Sequence, residues 1–258
     1  MYTKSKFTKD GSNWINNVSL MNRGLLVTVN LWDNLCWRKD VDNLNQIRVI
    51  NRRFIRRLEK KCNVHQKSSL EGASVEQVDK VLFDFGFPMG AFQMADLAGL
   101  DLGWDKAASA SASVKDRLCE AGRYGQKTRA GFYDYDEKRR PTSSALVTDV
   151  VKQHAKSLGI QQRTLSDEEI LDRCILPMVN EGAKILEEGI ALRASDIDVV
   201  YVYGYGWPVY RGGPMHYANS LGLDKVVAKL RHYHELTGDD FWAPSELLVS
   251  LVDKGECF

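Results

Sequence analysis

Residues 86–101 read Gly86-Phe87-Pro88-Met89-Gly90-Ala91-Phe92-Gln93-Met94-Ala95-Asp96-Leu97-Ala98-Gly99-Leu100-Asp101, and residues 206–224 repeat the pattern as Gly206-Trp207-Pro208-Val209-Tyr210-Arg211-Gly212-Gly213-Pro214-Met215-His216-Tyr217-Ala218-Asn219-Ser220-Leu221-Gly222-Leu223-Asp224. Gly90 to Asp101 and Gly213 to Asp224 are each eleven residues, which places Ala95 on Ala218, Asp96 on Asn219 and Gly99 on Gly222. Upstream, each copy carries an acidic-Gly helix ending (Glu71-Gly72, Glu188-Gly189) and then an apolar-Asp pair (Val78-Asp79, Ile197-Asp198). A repeated unit of this kind shows how a core is assembled better than any single residue does.

Working outward, helical signals dominate. Ser74 with Gln77 and Ser166 with Glu169 have the spacing of capping boxes. The first opens a helix to about Phe83, stopped by Gly86 and turned by Pro88; the second opens a long helix to about Glu188. Pro177 lies inside that long helix and predicts a kink near the Arg173 carbonyl. Ala91–Leu97 suits a short helix ended by Gly99, and Ser195 is the expected cap of a helix through Ile197 and Val200. The small-residue run Ala107–Ala112 reads as loop or helix, with Val114, Leu118 and Ala121 favouring a helix to Gly122. Gly131–Tyr135 alternates aromatic with acidic residues and predicts a short extended segment. Further helices are expected near Ala145–Leu158, Leu223–Tyr233 and Pro244–Leu251. With few strand signals, the class is mainly α.

The chain is a join of two compositions. Residues 1–68 carry 14 Lys/Arg against 5 Asp/Glu (+9), and residues 69–258 carry 21 against 29 (−8), giving the net +1. Ten of the twelve asparagines lie in the first 68 residues, which hold no alanine or proline. Within this poorly patterned extension, 44–61 forms an amphipathic pattern with Leu44, Ile47, Phe54 and Leu58 on one face and arginines and lysines around it. Such a helix suits either packing on the next domain or an anionic surface, and the packing reading is preferred; no nucleic-acid partner is expected. The charged break Glu137–Pro141 is the candidate boundary, so the expected divisions are 1–68, 69–140 and 141–258.

Chemistry-bearing motifs are sparse. No apolar run approaches the roughly 20 residues that cross a bilayer. Five scattered cysteines (36, 62, 119, 174, 257), with no Cys-x-x-Cys, suggest neither a disulfide framework nor a zinc site. Gly204-Tyr205-Gly206 is followed by bulky Trp207-Pro208, which would keep a pyrophosphate from the backbone, and no other glycine fingerprint occurs. His216 is the one histidine inside the repeat, but its first-copy counterpart is Gln93, which speaks against catalysis. Asp79 and Asp198 are placed near helix starts, where a carboxylate meets the positive end of the dipole. The Gly-aromatic-Pro loops are sharp helix turns, and Phe87, Pro88, Met89 and Gly90 could in addition line an acyl or cofactor groove.

On these residues the chain resembles the 3-hydroxyacyl-CoA dehydrogenase family. Residues 71–82, 85–101 and 123–135 are similar to its helical C-terminal domain, and 166–255 to a second copy, in the order of the bifunctional enoyl-CoA hydratase/dehydrogenases of peroxisomal β-oxidation. The resemblance implies two tandem helical domains that pack on a nucleotide-binding domain and close over acyl-CoA, with NAD as hydride acceptor. It also implies a substrate-reaching Asn-Arg pair, for which Asn51-Arg52 is the candidate. Family residues for NAD and the catalytic His–Glu pair belong to a preceding α/β domain with no counterpart here. No catalytic, cofactor or metal residue is therefore assigned, and the chain is expected to be inactive alone. The alternative is a non-catalytic assembly or acyl-CoA-binding module, working with a nucleotide-binding domain in trans or with another copy of itself. The family turn Lys-Thr-Gly-x-Gly stands here as Lys127-Thr128-Arg129-Ala130-Gly131, one glycine short. Resemblance points to the peroxisome, but the chain ends Glu256-Cys257-Phe258 rather than in a targeting tripeptide, which leaves the cytoplasm as the other expectation.

Overall fold

A computed structural model describes residues 64–107 and 109–258. The expected amphipathic helix 44–61 and Asn51 lie outside the described residues. In chain order the elements are α1 (Val64–Leu70), α2 (Val75–Phe85), α3 (Ala91–Ala98) and α4 (Val114–Glu120). A 3-10 turn (Gln126–Thr128), β1 (Asp134–Tyr135), β2 (Pro141–Thr142) and α5 (Ala145–Ser157) follow. The second half holds α6 (Asp167–Glu187), α7 (Ala194–Gly204), a 3-10 turn (Val209–Arg211) and α8 (Pro214–Leu221). It closes with α9 (Leu223–Thr237), a 3-10 turn (Asp240–Trp242) and α10 (Glu246–Lys254). The class is mainly α, with α2–α3 and α7–α8 as the two copies of the repeated unit.

Helix starts follow local chemistry where no stronger partner intervenes. Ser74 and Ser166 each accept the backbone N–H three residues on, at 3.0 Å from Gln77 and 3.1 Å from Glu169. The reciprocal half of each expected capping box is absent, because tertiary partners take the side chains. The Gln77 amide donates to the Leu165 carbonyl and to Asp167, and Glu169 pairs with Arg163 and Arg173. The start of α7 also differs from expectation. Arg193 is the cap residue, its backbone N–H held 3.2 Å from the Asp196 carboxylate, and Ser195 lies inside the first turn. In the small-residue run the helix begins only at Val114, capped by Ser113. Ser109 and Ser111 instead donate to the two oxygens of Glu120, 2.6 Å each, so their hydroxyls hold the preceding loop in a non-helical course.

The aromatic-acidic segment forms β1, paired antiparallel with β2 in the register Asp134–Thr142 and Tyr135–Pro141. The charged break is the turn of this hairpin. In the glycine-depleted turn, Arg129 adopts the left-handed backbone (φ 57°) that glycine would take without steric cost. Gly131 has a different need: a Cβ there would overlap the Asp96 carboxylate, which accepts the N–H groups of Phe132 (2.8 Å) and Tyr133 (3.0 Å).

There are two hydrophobic cores. The first gathers Val78, Phe92, Leu118 and Phe132 with Val147, Val151, Leu165 and Ile170, so residues on both sides of position 140 share it. The second gathers Val179, Ile185, Ile197, Trp207, Met215, Val226 and Leu248. Helix α6 runs through both, contributing Ile170 to the first and Ile175 onward to the second, and it touches α1, α2, α7, α8, α9 and α10. Pro177 within α6 leaves the Arg173 carbonyl without its helical donor. The Arg173 side chain is 3% exposed and pairs with Glu71 and Glu169, each at 2.8 Å, which ties the α1–α2 turn to α6.

Candidate functional site

The two copies of the repeated loop meet each other. Gly86 closes α2 with a left-handed backbone (φ 117°), its N–H on the Phe83 carbonyl and that of Phe87 on the Leu82 carbonyl. A Cβ at Gly86 would meet first the Tyr210 hydroxyl and then Cγ of Pro208 at 2.9 Å, and one at Gly206 would stand 3.1 Å from Cγ of Pro88. Each glycine therefore receives the proline of the other copy. This crosswise fit forms the seam between the repeats.

Aromatic rings fill the seam. Trp207 is 1% exposed. Its ring centroid lies 5.3 Å from Phe85, 5.7 Å from Phe87, 5.9 Å from Tyr201 and 6.0 Å from Tyr217, edge-on to each. Phe87, at the equivalent position of the first copy, is half-buried and stacks on Phe85 at 5.7 Å. Tyr210 and Arg211 reach back from the second copy, donating to the Phe85 carbonyl at 3.2 and 2.7 Å. The Arg211 guanidinium also sits 4.2 Å from the Phe85 ring centroid.

Directly behind the loops stand the repeated aspartates. Asp79 does not serve its own helix. Its carboxylate accepts the N–H groups of Phe92 (2.8 Å) and Gln93 (3.0 Å) in the first turn of α3, and the Tyr133 hydroxyl at 3.0 Å. Asp198 does the same for α8 through Met215 (2.7 Å) and His216 (3.1 Å). The cap positions themselves are Gly90 and Gly213, where a Cβ would overlap the carboxylate of Asp79 or Asp198. A residue without a side chain makes room for a cap delivered from the neighbouring helix. Sequence reasoning placed these aspartates at helix starts and missed which helix they serve. The recurrence of Asp and Gly together in both copies was the available signal.

Burial pushes both carboxyls up to about 6, against the pull of the backbone N–H groups. In the unfolded chain they titrate near the usual 3.8. The fold thus holds protons on them that the unfolded chain has released, and this linkage is fully present below about pH 4 and lost as pH rises through 6. Carbon-detected NMR titration should place both midpoints near 6, and midpoints near 4 would contradict it.

Of the residues singled out from sequence, Phe87 and Pro88 come together with Trp207, Pro208 and Gly206 at the seam. Met89 is half-buried beside them in the chain and Gly90 is buried at the start of α3. His216 is exposed, and its backbone N–H donates to Asp198 of the same repeat. The carboxylates nearest the loops are engaged by helix N–H groups, so the seam offers an apolar, aromatic surface rather than a general base. Among the described residues, no group of three or more His, Cys, Asp or Glu is placed to hold a metal.

Comparison with known proteins accords with the doubled architecture. The family model described as 3-hydroxyacyl-CoA dehydrogenase, C-terminal domain, matches twice, over residues 49–135 and 170–257. The peroxisomal bifunctional enzymes of Danio rerio and Homo sapiens are each 39% identical over 208 residues, covering 72% of this chain and 29% of theirs. The peroxisomal fatty acid beta-oxidation multifunctional protein of Oryza sativa subsp. japonica is 34% identical over 190 residues, covering 69% of this chain and 26% of its own. The chain thus spans under a third of the length of these curated relatives. Among solved structures, the dehydrogenase part of multifunctional enzyme 1 from C. elegans superposes with a TM-score of 0.55 at 26% identity, covering 81% of this chain and 47% of its own. The 3-hydroxybutyryl-CoA dehydrogenase of Escherichia coli K12 (TM-score 0.53, 18% identity, 82% of this chain and 60% of its own) shares the fold.

Proposed function

This chain belongs to the 3-hydroxyacyl-CoA dehydrogenase C-terminal domain family and carries that domain twice, and from that membership we propose that it serves fatty acid β-oxidation as the acyl-facing helical part of such an enzyme. The single observation that carries the reading is the doubled family match on two loops that meet at one apolar seam. The family reaction oxidises the 3-hydroxy group of an acyl-CoA with NAD. Phe87, Pro88 and Met89 would face the acyl chain, with Asn51 as the polar contact from the preceding segment. Soft apolar and aromatic side chains suit a hydrocarbon ligand.

The described residues do not fit NAD. A dinucleotide needs a strand, a glycine turn and a helix N-terminus that its pyrophosphate can approach. The strands among the described residues are a two-residue antiparallel pair, and the glycines of the repeated loops are packed by the side chains of Asp79, Asp198, Pro88, Pro208, Tyr210 and His216. No hydride step is therefore routed through these residues. The polypeptide of residues 1–258 is proposed to turn over only with a nucleotide-binding domain supplied in trans, with the peroxisome as its site of action; another copy of itself would be a partner in assembly. The purified polypeptide, assayed with acetoacetyl-CoA and NADH, should oxidise no NADH above background. Family-like turnover by it alone would overturn this reading.

A second reading, a non-catalytic assembly or acyl-CoA-binding module, draws support from the seam itself, whose aromatic rings already pack on each other. Calorimetry with a long acyl-CoA separates its two forms. Heat at micromolar ligand supports acyl binding, and none at high micromolar leaves assembly.

A further inference from the structure

From Pro88 to Gly90 the first loop has one intervening residue, whereas between Pro208 and Gly213 the second has four, including the 3-10 turn Val209–Arg211. These extra residues lie across the C-terminal end of α2 in the other copy. A helix end leaves its last carbonyls without intrahelical donors and carries partial negative charge. The Phe85 carbonyl is one of them, and it receives Arg211 Nε at 2.7 Å and the Tyr210 hydroxyl at 3.2 Å. The same guanidinium lies 4.2 Å from the Phe85 ring centroid, and that ring stacks on Phe87. One cation thereby fixes both the backbone end and the ring from which the Phe87–Gly90 loop departs.

We infer that the second repeat positions the first repeat's Phe87–Gly90 loop through Arg211, assisted by Tyr210, so that a ligand held by that loop depends on a residue of the other copy. Arg211 is a positioning residue, acting through Phe85 and Phe87 without touching the ligand. The shorter first loop has no counterpart of Tyr210 and Arg211, so no equivalent residue reaches back from the first copy. It rests on the acyl-facing reading of the loop for its effect on ligand, but not for its effect on the loop.

The experiment has two readouts on the 258-residue chain. Amide hydrogen exchange reads the loop directly. Arg211→Met keeps an apolar stem over Phe85 but removes the charge and the donor, and it should speed exchange at Gly86 and Phe87 about tenfold, the scale of a lost charge-assisted hydrogen bond. Amides of α10 should be unchanged. Arg211→Lys, which can still donate to the Phe85 carbonyl, should recover most of the protection. Calorimetry with decanoyl-CoA then reads the ligand. Arg211→Met should bind about tenfold more weakly. Ser245→Ala, which removes the N-cap of α10 at a distance from the loop, should lower Tm without weakening binding.

Unchanged exchange at Gly86 and Phe87 in Arg211→Met overturns the inference whatever the ligand does. Equal loss of decanoyl-CoA affinity in Ser245→Ala and Arg211→Met also overturns it, because global destabilisation would then account for both. If the wild-type chain binds no decanoyl-CoA while exchange responds as expected, the acyl-facing reading fails and the positioning of the loop by Arg211 stands.

Discussion

Trp207→Ala is expected to destabilise the protein by about 3–5 kcal/mol, the range for deleting a large aromatic from a packed core. Trp207 is 1% exposed and stands among Phe85, Phe87, Tyr201 and Tyr217, so its removal opens a void lined by residues of both repeats. Those neighbours sit on a helix and loop of the first copy and on α7 and α8 of the second. Collapse into the void would require the repeats to move together. Trp207→Phe should cost much less, about 1–2 kcal/mol, for two reasons. Phenylalanine is what the first copy uses at this place, as Phe87. The indole N–H of Trp207 also finds no hydrogen-bond partner among the described residues, so replacing it leaves no acceptor orphaned. Urea denaturation measures both. A loss below 1 kcal/mol for the alanine variant would mean that the seam does not hold the repeats together.

Gly213→Ala should cost about 2–4 kcal/mol, from backbone strain and steric overlap acting together. Gly213 has φ 104°, and its added Cβ would run into the Asp198 carboxylate that caps α8. Accommodating the methyl group means either displacing Asp198, which frees the N–H groups of Met215 and His216, or moving the start of α8. Gly238→Ala supplies the control. It has φ 64° with nothing within 4 Å of the added atom, so strain alone operates and about 1 kcal/mol is expected. Thermal melts of the two variants separate the terms, and equal losses would show that the Asp198 cap is not what Gly213 protects.

Much of the helical framework was legible from local signals. Ser74 and Ser166 cap the helices their spacing implied, Gly86 ends α2 and Gly99 ends α3. Local signals failed wherever a distant side chain offered a better partner. Gln77 turned to Leu165 and Asp167, and Glu169 to Arg163 and Arg173, because the fold brings these partners within reach and the charged ones make the stronger hydrogen bonds. The Ser109–Ser111 loop went the same way, drawn to Glu120 across the first turns of structure beyond it. Asp79 and Asp198 are the instructive pair. Their presence in both copies was readable, but their service to α3 and α8 depends on how close α2 and α7 pass, which no spacing along the chain expresses.

By itself, then, the sequence determined the helical class and the duplication, because caps, glycine stops and hydrophobic period act over a few residues and recur at equal spacing in both copies; the family followed from the resemblance of its segments. Tertiary structure alone decided that each loop glycine receives the other copy's proline, that α6 threads both cores, and that Arg211 closes a helix of the opposite repeat. The glycine–proline and Arg211 contacts join residues more than a hundred positions apart, and all of these energies exist only once packing has excluded water and brought the partners within reach.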